Sequence, residues 1–269
     1  MSKHSPDNTL DFTDKDACLK MLSQNNHEIA RLQSDLYAEN KQSLLIILQA
    51  MDAGGKDGTI NNVFYSMNPQ GCRVQSFKAP TKLEASHDFL WRAHAKVPHQ
   101  GEVVIFNRSY YEAVLVERVH KFATGEEMLQ RYEHINHFES LLRSSRTRIV
   151  KFFLNISKEE QLKRFVKRLD LPEKHWKISS TDYHERQFWD EYLRSFEIAI
   201  GKCSTEHAPW FVIPSNCKWF RNLAVSQILL EILRSMNIQL PAPSVDMQET
   251  RRLAAIELAR QRSESKDKA

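Results

Sequence analysis

Short apolar runs alternate with amphipathic stretches along most of this chain, and this alternation restricts the folds that it can adopt. The apolar runs, each of strand length, lie at residues 44–48, 73–77, 103–106, 149–154 and 210–213. Helical periodicity lies between and beyond them, at about 56–66, 82–95, 109–118, 126–143, 158–169, 182–200 and 217–236. Strands that alternate with helices require crossover connections, which build a parallel sheet covered on both faces. The sequence therefore predicts an α/β fold.

The alternation defines one domain with flanking segments. We expect residues 1–12 to be disordered and residues 13–240 to form the domain, which a helix from the N-cap Thr13 to about Glu39 would open. Residues 158–186 show helical periodicity without an apolar strand and predict a helical lid. Residues 241–269 are expected to form a C-terminal tail, with a short amphipathic helix followed by a disordered end.

Composition excludes several classes of protein. Of the 269 residues, 41% are hydrophobic and 27% are charged, so the chain can bury a core. The longest aliphatic run, residues 44–48, is far shorter than the roughly 20 apolar residues that cross a bilayer. The net charge of +4 is too small to require nucleic acid, and the four cysteines form no CxxC pair. We expect a cytoplasmic protein with no membrane or nucleic-acid partner.

Glycine is scarce in this chain and concentrated at one point. Only seven glycines occur, and Gly54, Gly55 and Gly58 directly follow the first apolar run. Lys56 stands among them at the predicted start of a helix. A buried strand, a glycine-rich turn and this lysine form a phosphate-binding arrangement, because backbone N–H groups, the helix dipole and the ammonium all favour an anion. The alternative is an ordinary strand-to-helix turn with Lys56 in solvent.

The loop departs twice from GxxxxGK[ST], the usual Walker A pattern. Ala50 replaces the first glycine, and Asp57 replaces the Ser/Thr that binds magnesium. Asp52 lies inside a loop suited to anions, so we predict that it helps to hold Mg²⁺ or accepts a proton from the attacking group. For Asp57, simple matching to the helix dipole is an equal alternative to phosphate binding.

Capping-box signatures predict three helix starts, and one of them bears on the site. The pairs are Thr81 with Glu84, Ser109 with Glu112, and Ser157 with Glu160. Glu112 is therefore either the capping partner of Ser109 or a catalytic or metal-binding residue, and the sequence favours neither.

Four separated motifs resemble the polyphosphate kinase 2 family. They lie at residues 49–60, at 68–72 with 76–80, at 104–112 followed by 117–120, and at 168–177. The resemblance covers about residues 15–240 in sequence order, and the joint match is far more specific than the glycine loop alone.

The resemblance implies a three-layer αβα, P-loop kinase-like fold with a parallel sheet and a helical lid. It implies reversible, Mg²⁺-dependent phosphoryl transfer between inorganic polyphosphate and nucleoside mono- or diphosphates, by a homodimer or homotetramer. Members of this family also lack the Ser/Thr of the Walker A pattern, so Asp57 agrees with the family's own loop. Ala50 is a departure, because family members usually carry glycine, and a positive φ would strain an alanine.

The third motif places polar residues at the end of a predicted buried strand. Asn107 stands where a Walker B strand ends in Asp, and with the following glutamate it resembles the family branch that phosphorylates nucleoside mono- and diphosphates. We expect Asn107 and Asp52 to hold Mg²⁺. Arg108 is a candidate phosphate clamp, since a guanidinium binds phosphate in a bidentate manner.

The lid segment predicts a cationic surface, for which a solvated charged helix is the alternative. Residues 163–177 contain six basic and two acidic residues. Such a surface suits a chain of phosphates, whose binding is electrostatic and sensitive to salt. The candidate residues for phosphate or polyphosphate binding are Gly54, Gly55, Lys56, Asp57, Gly58, Thr59, Lys78, Arg118, Arg164, Arg168, Lys174 and Lys177.

We therefore predict a polyphosphate-dependent phosphotransferase with Asp52, Lys56, Arg108 and Glu112 as catalytic residues. Two alternatives stay open: an ATP-dependent kinase of a nucleotide or small metabolite that uses the same loop, and a non-catalytic polyanion-binding module. The acid within the loop argues against the second alternative, because a simple anion site gains nothing from a carboxylate.

Overall fold

The computed structural model describes residues 4–266, which form five strands and eleven α-helices. The strands are β1 (Ser43–Ala50), β2 (Cys72–Ser76), β3 (Val103–Asn107), β4 (Thr147–Asn155) and β5 (Trp210–Pro214). The helices are α1 (Lys15–Glu39), α2 (Lys56–Val63), α3 (Lys82–Ala85), α4 (Trp91–His94), α5 (Glu112–Val119), α6 (Gly125–Ser144), α7 (Lys158–Leu169), α8 (Ser180–Glu185), α9 (Trp189–Cys203), α10 (Lys218–Ser235) and α11 (Met247–Lys266). Short 3₁₀ helices occupy Pro172–Lys177 and Arg186–Phe188.

All five predicted strands are present in one parallel sheet of order β2-β3-β1-β4-β5. Every residue of β1 is buried, because this strand lies at the centre of the sheet between β3 and β4. The register pairs Leu48 of β1 with Asn107 of β3, so the chain leaves both strands at the same edge. A ligand site is expected at this edge, where the order of the strands reverses at β1.

Helices cover both faces of the sheet, which confirms the three-layer α/β prediction. Leu44, Ile46 and Leu48 pack on the side of α1, α2 and α10. Leu45 and Ile47 pack on the side of α5, α6 and α9. The strand needs apolar side chains on both faces, which explains why its sequence is a continuous apolar run without alternation.

The chain divides into two compact units, Met1–Ile238 and Gln239–Ala269. In the second unit, α11 is longer than the short helix that we expected, and its side chains from residue 247 to 261 are exposed. Residues 267–269, part of the predicted disordered end, lie outside the described residues. No described helix is both long and apolar enough to cross a membrane.

The start of the first unit is held by hydrogen bonds, although we expected residues 1–12 to be disordered. The backbone N–H of Asn216 donates to the Pro6 carbonyl at 3.1 Å, and the Asn155 amide donates to the His4 carbonyl at 2.8 Å. Asp14 rather than Thr13 caps α1. Residues 1–3 lie outside the described part of the chain.

A buried ion pair joins the sheet to the helices that carry the site. Lys151 of β4 and Glu139 of α6 are fully buried and bonded to each other. The Lys151 ammonium also donates to the Tyr111 hydroxyl at 2.9 Å and to the Cys203 carbonyl at 2.7 Å. The hydroxyls of Tyr110 and Tyr111 in turn donate to Glu139. This network fixes the segment directly before α5, and no spacing in the sequence indicates it.

We expect Lys151→Met to lower the free energy of unfolding by about 3–5 kcal/mol, because it leaves the Glu139 carboxylate buried without its cation. The double variant Lys151→Met/Glu139→Leu should recover most of that loss, since it removes both charges together. Urea denaturation measures both effects, with Lys20→Met at an exposed position of α1 as the control that leaves the midpoint unchanged. A double variant as unstable as Lys151→Met would contradict this account.

Candidate active site

The loop after β1 contains part of the backbone strain of the site. Ala53 has φ +57° and Gly55 has φ +110°, both in the left-handed region. The Ala53 carbonyl accepts a hydrogen bond from Arg164 of α7 at 2.9 Å, and the Asp52 carbonyl accepts one from Gln161 at 2.9 Å. Non-glycine residues adopt this conformation only where their surroundings hold them there, and such residues cluster at functional sites. Helix α7 therefore supports the loop.

Ala50 fits its position without strain. It is the last residue of β1 and does not have a positive φ. Its methyl group lies against Gly54, where an added Cβ would come within 2.6 Å of the Ala50 Cβ. The alanine is therefore compatible with the loop, because the residue that must stay small is Gly54.

Lys56 begins α2 and reaches back across the loop. Its ammonium donates to the Ala50 carbonyl at 3.1 Å. Burial, followed by the nearby charge of Arg108, lowers the pKa of Lys56 from 10.5 to about 8. The geometry does not fit a lysine in free solvent, because Lys56 is half-buried and its ammonium is bonded to the loop backbone. An anion bound at this point would favour the charged form of Lys56.

Arg108 links the loop to the end of β3. It has φ +62°, and its guanidinium contacts Asp52 at 2.7 Å and Glu112 at 3.3 Å. The backbone N–H of Arg108 donates to the Leu48 carbonyl at 3.1 Å. Two carboxylates from different elements therefore fix the direction of one guanidinium, which is the geometry expected of a phosphate clamp.

The predicted capping box of Ser109 and Glu112 is wrong. The Ser109 hydroxyl accepts hydrogen bonds from the backbone N–H of Tyr111 and from the side-chain amide of Gln49. Helix α5 begins at Glu112 itself, because the left-handed turn at Arg108 delays the helical backbone. The Glu112 carboxylate is consequently available to Arg108. The capping box of Thr81 and Glu84 is confirmed.

The third capping pair is present only in part, because Glu160 has another partner. Ser157 accepts from the Glu160 backbone N–H, while the Glu160 carboxylate binds Arg164 at 2.8 Å. The Asn216 amide oxygen, rather than the Glu160 carboxylate, accepts a hydrogen bond from the Ser157 backbone N–H.

Asp57 joins the loop to the segment that we predict to be a lid. Its carboxylate accepts hydrogen bonds from Lys177 at 2.7 Å and from the Asn107 amide at 3.1 Å. Burial opposes ionisation of this carboxyl, but the bonds from Lys177 and Asn107 lower its pKa overall. In this arrangement the Asp57 carboxylate accepts the hydrogen bond that Lys177 could donate to a phosphate. The contact places Asp57, Asn107 and Lys177 together at one end of the site.

The remaining lid residues predicted for phosphate binding differ in their surroundings. The guanidinium of Arg164 is bound by Glu160 and by the carbonyls of Ala53, Ser215 and Asn216. Arg168 lies 3.6 Å from Asp182 of α8. Lys174 belongs to the 3₁₀ helix that also carries Lys177.

The other predicted residues lie around the loop or away from it. Thr59 is buried in α2, and its hydroxyl makes no hydrogen bond within the described residues. Gly58 packs against Arg221 of α10, where an added Cβ would meet the guanidinium at 3.1 Å. Lys78 is exposed at the wall of a large cleft. Arg118 faces the Tyr132 side chain of α6 and does not line that cleft.

A cleft of about 1070 Å³ opens from Asp52, Arg108 and Glu112. Its further walls combine aromatic and charged side chains, among them Phe77, Lys78, Arg92, His120, Phe122, Arg131, Asp182, Glu185 and Tyr192. This volume accommodates a nucleotide-sized ligand. The described residues contain no group of three or more His, Cys, Asp or Glu side chains that could hold a metal ion by itself.

Sequence reasoning missed several residues of the site. Asp182 and Glu185 of α8 line the cleft beside Asp52, and burial, followed by the charge of Asp52, raises the pKa of Asp182. Gln161 was also missed, although a polar residue on the buried face of α7 is a usable signal. Arg221 had no signal, because it lies in a long apolar helix far from every motif.

The chain is similar to known proteins of one family. The family described as Polyphosphate kinase 2 (PPK2) matches residues 12–241. The AMP/ADP-polyphosphate phosphotransferase of Meiothermus ruber is 49% identical over 244 residues, which is 90% of this chain and 91% of that protein. The ADP-polyphosphate phosphotransferase of Rhodopseudomonas palustris is 42% identical over 86% of this chain and 84% of its own length.

A solved structure resembles the whole fold. The crystal structure of Polyphosphate Kinase 2 from Arthrobacter aurescens TC1 superposes with a TM-score of 0.92 at 44% identity. The match covers 95% of this chain and 92% of that chain.

We expect Gly55→Ala to destabilise the protein by about 1–3 kcal/mol, because a left-handed backbone disfavours a side chain. The added Cβ would also lie 1.9 Å from Nη1 of the Arg221 guanidinium. Gly125→Ala is the matched control, since it lies in α6 with nothing within 4 Å of an added Cβ. Urea denaturation should show a loss for Gly55→Ala and an unchanged or higher stability for Gly125→Ala. Equal stability of the two variants would contradict the interpretation that the loop requires glycine at position 55.

Proposed function

The chain belongs to the polyphosphate kinase 2 family, and from this premise we propose how its residues transfer a phosphoryl group between inorganic polyphosphate and a nucleotide. The acceptors that we propose are nucleoside mono- and diphosphates, AMP and ADP among them. The name of the Meiothermus ruber relative supports both acceptors for that protein.

One observation carries the proposal: a lysine and an arginine converge on the same point from two loops at the edge of the sheet. The Lys56 ammonium lies over the end of β1, and the Arg108 guanidinium is held beside it by Asp52 and Glu112. Their charges interact, since Arg108 lowers the pKa of Lys56, although the carboxylates of Asp52, Glu112 and Asp57 raise it. Two cations that repel each other at fixed positions favour a dense anion between them, such as the terminal phosphoryl group of polyphosphate.

The loop and the lid position the donor. The backbone N–H groups at Gly55 and the start of α2 supply the anion-binding end of a helix, whereas the Gly54 N–H donates to the Met51 carbonyl within the loop. Lys177 approaches from the lid and is bound to Asp57. A donor phosphate at this point would compete with Asp57 for Lys177, so donor binding replaces a contact within the protein with a contact to substrate.

The cleft positions the acceptor. It opens from Arg108 and Glu112, and its walls offer Lys78, Arg92 and Arg131 to phosphates. Phe77, Phe122 and Tyr192 provide apolar surface for a sugar and base. A nucleotide in this cleft would direct its terminal phosphate toward Lys56 and Arg108.

The transfer itself requires little proton chemistry. A terminal phosphate oxygen of the nucleotide attacks the end phosphorus of polyphosphate in line, and the bond from that phosphorus to the bridging oxygen breaks. The attacking oxygen is already ionised at neutral pH, because the second pKa of a phosphate monoester is about 6. Catalysis then rests on positioning and on neutralising charge at the transferring group. Asp52 therefore does not act as a base, and one of its roles is to orient Arg108 through Oδ1.

We propose Asp52 and Asn107 as protein ligands of Mg²⁺. The donor set fits, because both offer oxygen atoms, and the Asn107 amide nitrogen is already directed to Asp57. Mg²⁺ is usually held by one or two carboxylates together with substrate phosphates, so a site without a protein cage of its own is the expected form. The ion would neutralise charge on the phosphates when bound. The predictions of a homodimer or homotetramer, a cytoplasmic location and no nucleic-acid partner stay predictions.

A donor assay tests the proposed function. We expect ATP to form from ADP, and ADP from AMP, when polyphosphate is the sole donor and chromatography follows the nucleotides. Lys56→Met should lower kcat/KM by at least about a hundredfold, because it removes a charge from the transferring group. Lys20→Gln, which changes an exposed charge on α1, should retain activity. Turnover with ATP but none with polyphosphate would instead support the ATP-dependent alternative.

A further inference from the structure

A buried glutamine on α7 bridges the loop after β1 and the segment that follows α8. Gln161 is only 3% exposed. Its side-chain amide donates to the Asp52 carbonyl at 2.9 Å, and its side-chain oxygen accepts a hydrogen bond from the Arg186 guanidinium at 2.6 Å. Both ends of a buried amide need partners, and here both partners belong to other elements. Gln161 is therefore the middle of a hydrogen-bonded chain that runs from Arg186 to Asp52.

Arg186 determines which end of that amide faces the loop. A guanidinium can only donate hydrogen bonds, so its partner on Gln161 must be the oxygen, and the NH₂ group is directed toward Asp52. The same Arg186 nitrogen, Nη1, donates to the Lys158 carbonyl in the first turn of α7 at 3.0 Å. Arg186 is thus bound at two points of α7 and holds the Gln161 amide in the orientation that donates to the loop.

The position of Arg186 is fixed by its neighbour in the sequence. Glu185, the last residue of α8, accepts a hydrogen bond from the Tyr192 hydroxyl of α9 at 2.7 Å. Its carboxylate also lies 3.1 Å from Nε2 of His120, which directly follows α5. These contacts attach the end of α8 to two other elements, so Arg186 approaches α7 from a segment that is already held in place.

The hydrogen bond from Gln161 holds a strained part of the backbone. The Asp52 carbonyl belongs to the peptide group that precedes Ala53, whose φ is +57°. A non-glycine residue in this conformation costs about 1–3 kcal/mol and persists only where its surroundings hold it there. Without the bond from Gln161 this peptide group would relax. The Asp52 carboxylate, which contacts Arg108 at 2.7 Å, would then shift with its backbone.

Gln161 and Arg186 lie close to the reacting groups but outside the space proposed for the nucleotide. Neither residue lines the large cleft. Both line a smaller cavity of about 40 Å³, which also touches Asp52 and Arg108. Pockets for small-molecule ligands have volumes of roughly 300–1,000 Å³, so this cavity admits no substrate. Any part that the two residues play in the transfer is therefore indirect.

We propose that Gln161 and Arg186 are positioning residues for phosphoryl transfer. Arg186 orients the Gln161 amide, which holds the backbone of Asp52. The Asp52 carboxylate, fixed in this way, keeps the Arg108 guanidinium directed at the transferring group. The inference rests on the proposed function, because it adds supports to the same reacting groups. Loss of the chain should slow the transfer and leave nucleotide binding almost unchanged.

Gln161→Glu is the sharpest single change. The new carboxylate keeps the size of the side chain and still accepts a bond from Arg186, so the variant is expected to fold, but it cannot donate to the Asp52 carbonyl. With Mg²⁺ and polyphosphate at saturation, kcat for ATP formation should fall by about tenfold to a hundredfold, because small misplacements of reacting groups have effects of this order. KM for ADP should stay within about twofold, since the walls of the cleft are unchanged. Gln24→Glu, the same change at an exposed position of α1, should match the wild type.

Two further comparisons separate positioning from a merely structural role. Arg186→Met should also lower kcat, and Arg186→Lys should retain more activity, because an ammonium can still donate to the Gln161 oxygen. In an Arg108→Gln background, Gln161→Glu should lower kcat by no more than about twofold, since the group that it positions is gone. A general loss of structure would instead lower kcat equally in both backgrounds and would lower Tm.

The inference is overturned if Gln161→Glu leaves kcat unchanged, raises KM for ADP without lowering kcat, or costs as much with Arg108→Gln as without it. Arg186→Lys that is no more active than Arg186→Met overturns the role assigned to Arg186. In each of these cases the wild type still forms ATP from polyphosphate and ADP, so the proposed function stands. A wild type that forms no ATP from polyphosphate overturns both.

Discussion

The site depends on one guanidinium held in a strained position. Arg108 has a left-handed backbone, and its guanidinium forms ion pairs with Asp52 and Glu112. Its backbone N–H donates to the Leu48 carbonyl of β1. These contacts compensate the cost of about 1–3 kcal/mol that such a backbone carries. Because Asp52 belongs to the loop and Glu112 to α5, the same guanidinium also fixes the distance between these two elements. The position of Lys56 relative to Arg108 follows from this constraint.

Contacts outside the site hold the loop and the residues before α5 in place. The buried pair of Lys151 and Glu139 fixes the tyrosines that precede α5. Arg164 and Gln161 hold the two loop carbonyls that point toward α7. The loop therefore has a fixed shape before any phosphate arrives, and electrostatic catalysis requires such preorganisation.

The sequence predicted the sheet and the loop because their signals are local. A fully buried strand such as β1 needs an apolar run, and a loop that approaches α10 needs Gly55. The sequence predicted a capping box of Ser109 and Glu112 that is not present. The left-handed turn at Arg108, which prevents it, leaves no pattern in neighbouring residue types. Sequence reasoning also missed Arg221 and Asp182, because their roles arise from contacts between distant segments. The family resemblance supplied the reaction, which the local patterns left open among three alternatives.

A double-mutant cycle on Asp52 and Arg108 tests the central claim most directly. The quantity measured is kcat/KM for polyphosphate in the formation of ATP from ADP, for Asp52→Asn, Arg108→Gln and the double variant. The assays contain saturating Mg²⁺, so that a weakened metal site does not limit the rate. If Asp52 acts on the transfer by orienting Arg108, the double variant should then be nearly as active as Arg108→Gln alone, because the carboxylate has nothing left to orient. Additive losses in the double variant would contradict the account, since they would show that the two residues act independently.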